Sequence, residues 1–506
     1  MRRFAMIALI LSLGIPHLSR GETPPAPPSS QTLATIIETT RNAWKVPGVA
    51  VVIVRDNTVI YCDAHGVRDA SRPDPLTTDH VFPMASCSKA FTTMLLAMLS
   101  EEDKLRWDDS VRRHLPDFRL QDPQANLLVN VRDLVTHRAG LGTFDLLWYR
   151  APWSTREMIA RLGELPPAYP FRQGFAYQSV MVTAAGEVAA AAGGKPWAEL
   201  VRERIFQPLE MTDAWTDTRS IPVSRRAVGH IRTPMGEIVA VPWYDQPEAN
   251  AAGSVHLSAN ACIPWLKLLA NRGTFAQKRL ISESTFNQLR QPITRMPFSG
   301  LERALAPDCE RMDYGLGWVL QSYRGHAMML HGGTIDGFRT QITILPDQRL
   351  GIALLNNLHS NRMNQMLSNS LVDAVLGLPA KDWNTIGLTA VSAEERAEQK
   401  RLSKQAAERN PDAIPNAPLA AYTGIYRNAL FGTARIELHN GRLQWQHHGF
   451  RQPLSHDAFD TFTFVDPFLG REQFRFGLRP DRVVLGVMAF DIPFERISNL
   501  PQPMMP

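Results

Sequence analysis

Ser86 and Lys89 stand three residues apart in the stretch Phe82-Pro83-Met84-Ala85-Ser86-Cys87-Ser88-Lys89, and an apolar run from Ala90 to Leu99 follows. Residues at this spacing share a helix face, so a hydroxyl and an amine can meet there. The chemistry they suit is nucleophilic catalysis. A serine hydroxyl attacks a carbonyl only when a neighbouring base takes its proton. Lysine is such a base only while neutral, and burial and the positive end of a helix dipole both push it that way. Backbone N–H groups at the same helix start can hold an oxyanion. The pair alone decides nothing. Ser-x-x-Lys arises by chance roughly once or twice in a chain of this length, and a serine N-cap on a surface helix gives the same pattern. The setting favours chemistry, because Phe91, Met94, Leu95, Leu96, Met98 and Leu99 read as a core helix. A lysine near the buried start of such a helix needs a reason.

Two further groups could join the pair. Tyr177, in Gly174-Phe175-Ala176-Tyr177-Gln178-Ser179, stands at the mouth of an expected helix over 180–192. It is either a core aromatic with a satisfied hydroxyl or a base whose pKa a nearby lysine lowers. His137 closes a short helical pattern from Val131 and reads as a polar helix end.

The elements that must carry these residues follow from periodicity. Helices are expected over 33–44, 196–206, 259–271 and 362–376, and strands over 49–54, 59–61, 315–320, 326–331, 338–345 and 350–355. Strands early, helices in the middle and strands late predict one mixed sheet built from both ends of a domain. Ser392-Ala393-Glu394-Glu395 reads as a capping box opening a charged helix to about Arg409, ended by Pro411, Pro415 and Pro418. From about residue 419 the pattern alternates at period two, with Asn440-Gly441 as a hairpin turn, which predicts a small antiparallel sheet or barrel. His447 and His448 would point to opposite faces of a strand, and both read as structural.

Taken together, Ser86-Cys87-Ser88-Lys89, Tyr177-Gln178-Ser179 and His331-Gly332-Gly333 come in order and well separated. They resemble the three motifs of the serine β-lactamase and penicillin-binding-protein superfamily, in particular its class C β-lactamase, D-alanyl-D-alanine carboxypeptidase and esterase branch. Leu134 to Leu141, Gly253-Ser254-Val255 and Gly333 to Phe338 share the family's look, and the resemblance spans residues 32–380. The last segment resembles the lipocalin-like β-domain often appended to these hydrolases. The resemblance implies an α+β fold, a mixed helical region plus antiparallel sheet followed by a small antiparallel barrel-like domain. It implies that Ser86 forms the acyl-enzyme, that Lys89 and Tyr177 share base and acid work, and that Ser179, His331 and Gly333 bind substrate. The oxyanion hole would be the N–H groups of Ser86 and Thr334. No metal or organic cofactor is implied.

Two positions depart from the family pattern. Ser179 replaces the usual asparagine and offers a hydroxyl in place of an amide. His331 replaces the lysine of true β-lactamases and is mostly neutral at neutral pH. Both fit an esterase or peptidase better than an efficient β-lactamase. The function expected is a serine hydrolase for esters, amides or D-amino-acid peptides, with β-lactams as slow substrates or inhibitors. The alternatives are a class C-type β-lactamase proper and a penicillin or cell-wall-fragment sensor that does not turn over.

Composition bounds the rest. The chain has 506 residues, 44% hydrophobic and 20% charged, as ordinary globular proteins do. Residues 1–21 read as a secretory signal: Arg2 and Arg3, an apolar core from Phe4 to Ile15, then Ser19-Arg20-Gly21. The reading places the mature protein in the periplasm or outside the cell. Losing Arg2, Arg3 and Arg20 takes the net charge from +5 to +2, and the remaining basic residues form no stripe for nucleic acid. No later apolar run is long enough for a membrane span. The expected partner is a small-molecule, peptide or cell-wall-derived substrate. Cys62, Cys87, Cys262 and Cys309 suggest no particular disulfide, and Cys87 reads as a packing residue. The expected organisation is a signal (1–21), a proline-rich lead-in (22–31), a hydrolase domain (32–380), a linker with a charged helix (381–414) and a small β-domain (415–506).

Overall fold

The computed structural model describes residues 27–245, 248–407 and 413–498. The signal reading, most of the proline-rich lead-in and the expected end of the charged helix near Arg409 and Pro411 lie outside them.

In chain order the elements that build and position the site are α1 (Ser30–Ala43), β1 (Gly48–Arg55), β2 (Thr58–Asp69), α2 (Ser88–Glu101), α3 (Ser179–Gly193), α4 (Ala259–Ala270), β3 (Met312–Tyr314), β4 (Val319–Tyr323), β5 (His326–Ile335), β6 (Phe338–Leu345), β7 (Leu350–Asn356), α5 (Met363–Leu376) and α6 (Trp383–Ala407). β1 lies antiparallel between β2 and β7, so both ends of the domain share one sheet. That sheet has nine strands in the order Thr294–Arg295, β3, β4, β5, β6, β7, β1, β2, Asp74–Pro75.

The unbroken apolar run of β1 has a physical cause. Ala50, Val52 and Val54 pack into the core shared with α2 and α4. The alternate residues Val49, Val51 and Ile53 pack into a second core with α1 and α5. A strand covered on both faces has no position left for a polar residue.

Three local expectations are corrected. Of the strand expected from Gly315 to Leu320, only Val319 and Leu320 are in one, at the start of β4. Tyr314 pairs with Val319, and the residues between them turn the chain, with Gly317 at φ 77°. A Cβ on Gly317 would also lie 2.7 Å from Thr93 Cγ2, so the turn can press close against α2 only with glycine there. The capping box at Ser392 does not start a helix, because α6 begins nine residues earlier. Asp382 caps it by accepting from Thr385 N–H at 2.9 Å. Buried Trp383 anchors it, its indole N–H donating to Asp373 at 2.8 Å. Tertiary burial outweighs the local signal here. His447 and His448 do not point apart. Their rings stack at 3.8 Å because His448 leaves the strand at φ 51°.

After α6 come β8 (Gly424–Asn428), β9 (Gly432–His439), β10 (Arg442–His447), β11 (Phe450–Ala458), β12 (Thr461–Asp466), β13 (Gly470–Leu478), β14 (Val484–Ala489) and β15 (Ile492–Ser498). Each pairs with the next and β15 returns to β8, so they close into a barrel. Closure leaves no exposed strand edge. Trp445, Phe462, Phe464 and Phe474 fill its interior and do not reach the hydrolase domain's cleft. Other barrel aromatics touch the larger domain: Phe431 meets Phe144, and Phe450 and Phe468 flank the Arg150 guanidinium at 5.2 and 5.3 Å.

Candidate active site

Ser86 lies in a single 3-10 turn, Ala85–Cys87, that runs straight into α2. Ala85 is held at φ 46°. A left-handed alanine costs roughly 1 kcal/mol, and the turn it makes leaves Ser86 the one residue not fully buried between Val81 and Ala90. Lys89 follows on the first turn of α2, 1% exposed. Its Nζ lies 3.1 Å from Ser86 Oγ, 3.1 Å from the Ala252 carbonyl and 3.4 Å from Ser179 Oγ. Burial pulls its pKa down to about 7, against a weaker upward pull from Asp145. A neutral amine has two N–H bonds and one lone pair. The Ala252 carbonyl can only accept, and Ser179 Oγ can take the second N–H. The lone pair then remains for the Ser86 hydroxyl proton.

Tyr177 and Ser179 arrive on the segment leading into α3, which Gln178 caps by accepting from Val180 N–H at 3.1 Å. Lys89 Nζ lies 4.8 Å from the centre of the Tyr177 ring. The expectation that lysine lowers the Tyr177 pKa is corrected. Burial raises it far above the ordinary value, and the facing Ser86 hydroxyl offsets this only in part. The phenol is therefore held in its protonated form, the form that can donate a proton.

His137 is also reassigned. It is 2% exposed and sits at φ 58° beneath the site, not at a solvated helix end. Its ring lies 4.3 Å from that of Tyr177 and 4.5 Å from that of Tyr314. Its Nδ1 accepts from the Gln178 N–H at 3.1 Å, which puts the ring proton on Nε2 and ties the Tyr177 segment down. The family-like run from Leu134 to Leu141 was the available signal for it.

The third motif lies on β5. His331 is buried, and burial with the Lys89 charge pulls its pKa down to about 3. Nδ1–H donates to the Gly332 carbonyl at 2.8 Å, so Nε2 accepts from the Tyr314 hydroxyl at 2.8 Å. A neutral ring with both nitrogens engaged supplies no positive charge. Gly333 has a steric reason: a Cβ there would lie 2.1 Å from the Met84 carbonyl oxygen and 2.4 Å from Thr340 Oγ1. Only glycine lets β5 approach the turn that carries Ser86.

Thr334 follows from register. Ile335 pairs with Phe338 across the two-residue loop Asp336-Gly337. Such a closing pair exchanges both hydrogen bonds, so Ile335, Gly333 and His331 bond toward β6, and Gly332 and Thr334 face the other edge. On that edge β4 ends at Val319, opposite Leu330. The Thr334 N–H thus faces open cleft. The Ser86 N–H, at the start of its turn, has no acceptor within the helix.

These groups open into one cleft of about 600 Å³, lined by Ser86, Tyr177, Ser179, His331 and Thr334. Sequence reasoning missed its other walls. Asp145 and Trp148 enter from a loop with no motif, joined by an indole N–H donated at 2.8 Å. Asn250 and Ala252 precede Gly253, and Tyr314, Arg339 and Arg362 complete the cleft. Arg339 was visible as an arginine inside a central strand. Cys87 packs, its S–H directed at the His331 carbonyl at 3.1 Å and its pKa pushed up to about 12 by burial. All four cysteines are unpaired. Among the described residues no acidic, histidine or cysteine cluster could hold a metal, and no helix is long and apolar enough to cross a membrane.

The barrel braces this cleft from outside. Asp336, at the tip of the β5–β6 hairpin, accepts from Arg150 at 2.9 Å and from the Tyr149 hydroxyl. Phe450 and Phe468 cover that ion pair, and the Gly449 N–H donates to the Arg150 carbonyl at 3.2 Å.

Comparison with known proteins finds the same fold. The family model described as Beta-lactamase matches residues 34–374, and one described as a domain of unknown function, DUF3471, matches 408–496. An unguisins hydrolase, ungD, of Aspergillus violaceofuscus is 26% identical over 85% of this chain and 82% of its own. The octameric penicillin-binding protein homologue of Pyrococcus abyssi superposes with a TM-score of 0.62 at 18% identity, over 92% of this chain and 99% of its own. A D-amino acid amidase of Ochrobactrum anthropi SV3 superposes with a TM-score of 0.57 at 22% identity, over 69% and 98%.

Proposed function

The chain belongs to the beta-lactamase family of serine hydrolases, and from that premise we propose that it acts through an acyl-enzyme on Ser86. Its substrates are esters, amides or D-amino-acid peptides, with β-lactams as slow substrates or inhibitors. Neutral Lys89 takes the Ser86 proton as Oγ attacks the carbonyl carbon. The N–H groups of Ser86 and Thr334 hold the oxyanion. Tyr177 hands a proton to the leaving group and is reprotonated from Lys89. Water then attacks the ester, and Ser86 recovers its proton. The observation that carries this reading is a buried lysine 3.1 Å from the nucleophile. The amidase neighbour supports the amide and D-residue side of the substrate range. Export to the periplasm or medium belongs to the same proposal and rests on the pattern of residues 1–21.

A fluorescent phosphonate should label the wild type at Ser86 and leave Ser86→Ala unlabelled. Equal labelling of both sinks the mechanism. Burst kinetics with an activated ester should show a steady rate after the first turnover. One equivalent of product followed by a flat line would mark a sensor that does not turn over.

A further inference from the structure

The barrel meets the hydrolase domain at a second contact, the β10–β11 turn His448-Gly449. The His448 ring stands edge-on to Trp153 at 5.1 Å and stacks on His447 at 3.8 Å. Trp153 lies just before the helix Thr155–Ala160. Arg161, just after that helix, holds its guanidinium 3.6 Å from the centre of the Trp153 ring. Arg161 also donates to the Leu430 carbonyl of the barrel at 2.6 Å. The approach is close, because a Cβ on Gly432 would lie 3.0 Å from Trp153 Cη2. Both ring nitrogens of His448 are shut off from water, and neither has a hydrogen-bond partner. The Phe431 carbonyl is already used, accepting from His447 Nε2–H at 2.7 Å. The charges that act on the ring are those of His447 and Arg161, and both repel an added proton. Arg150, whose carbonyl accepts from the Gly449 N–H, is paired with Asp336. Glu157, on the helix between Trp153 and Arg161, is exposed and turned to Ser154. Burial first, then His447 and Arg161, pull the His448 pKa down to about 3, against the Phe431 carbonyl. A protonated ring here would sit beside a guanidinium with no acceptor for either N–H. That cost is relieved when the turn swings out into water.

We propose that His448 is an acid-sensitive latch: on taking up one proton it lets go of Trp153 and Arg161 and releases the barrel from the hydrolase domain. Release also strips Phe450 and Phe468 from the Arg150–Asp336 pair, so the brace on the β5–β6 hairpin goes with it. His447 stays with the barrel, because its ring keeps the Phe431 bond and its contacts with Trp445 and Phe494. In the released barrel the His448 ring is in water and titrates near 6.5. The docked form binds fewer protons below that value. Docking is therefore at full strength above pH 6.5 and weakens about tenfold for each pH unit below it.

Hydrogen exchange of the full chain, read by mass spectrometry and corrected for the intrinsic rate at each pH, tests this. It reports openings even when they are rare. In the wild type, protection of the peptides that hold Trp153 and His448-Gly449 should fall about a hundredfold between pH 6.5 and 4.5. Protection of β12, inside the barrel, should not fall with them. In His448→Phe and His448→Gln, which carry no titrating ring, protection at the seam should be flat over the same range. Wild-type protection that does not change with pH overturns the latch, as does an equal fall in the variants. A fall shared by β12 means that the whole barrel unfolds in acid and also overturns it. If both variants are already unprotected at the seam at pH 7.5, the wild-type slope decides: about tenfold per pH unit supports the latch, and a slope near zero overturns it.

Discussion

Lys89 makes the most demanding prediction. Its pKa moves from 10.5 to about 7 because burial removes water from the ammonium, and Asp145 offsets this only in part. A shift of that size corresponds to roughly 5 kcal/mol of penalty on the charged form. It raises the neutral fraction at pH 7 from about one in three thousand to about one half. Acylation should therefore climb through pH 7 and level off above about pH 8. The perturbation is Lys89→Arg, which keeps the length and charge but stays protonated. Acylation at pH 8 should fall by on the order of a hundredfold to ten-thousandfold. The assay is the stopped-flow burst of an activated ester across the pH range, for both proteins. A wild-type limb centred near pH 10, or a variant with more than about a tenth of the wild-type burst rate, would refute Lys89 as the base. The same shift makes a stability prediction. The folded pKa is depressed, so between about pH 7 and 10.5 the unfolded chain binds more protons. Stability then rises with pH across that window, and the full penalty is present below it. The melting difference between wild type and Lys89→Met should move in favour of the wild type as pH rises from 6 to 9.5. A difference independent of pH would contradict the burial argument.

Tyr314→Phe removes the O–H that His331 Nε2 accepts at 2.8 Å, and a buried acceptor left bare costs about 1–3 kcal/mol. A lowered Tm with slower acylation is expected, and an unchanged Tm would refute the Tyr314–His331 hydrogen bond. Gly333→Ala forces a Cβ to 2.1 Å from the Met84 carbonyl oxygen. Phosphonate labelling should slow at least about a hundredfold, and wild-type labelling would mean that β5 need not approach the nucleophile turn. Phe468→Ala uncovers the Arg150–Asp336 pair, so turnover should drop several-fold and become more sensitive to salt. Phe464→Ala, inside the barrel, should instead cost about 3–5 kcal/mol of barrel stability. Equal kinetic effects from the two variants would remove the bracing role of Phe468.

The sequence by itself pointed to the Ser86–Lys89 pair and to the elements that carry it. Spacing and apolar periodicity are local properties, and Ser86, Lys89 and α2 lie within one such stretch. The β1 strand and the alternation of the barrel strands were legible for the same reason. Tertiary structure alone decided which distant groups share the cleft. Asp145, Ala252, Tyr314 and Arg339 belong to four separate segments, and no local pattern records that they converge. It also decided protonation. Lys89, Tyr177 and His331 are shifted mainly by lost solvent, a quantity set by everything packed around them. Where local signal and burial competed, burial won. The capping box at Ser392 was overridden because Trp383 had a buried site against Asp373. His137 became the floor beneath Tyr177 because a left-handed turn drove its ring inward.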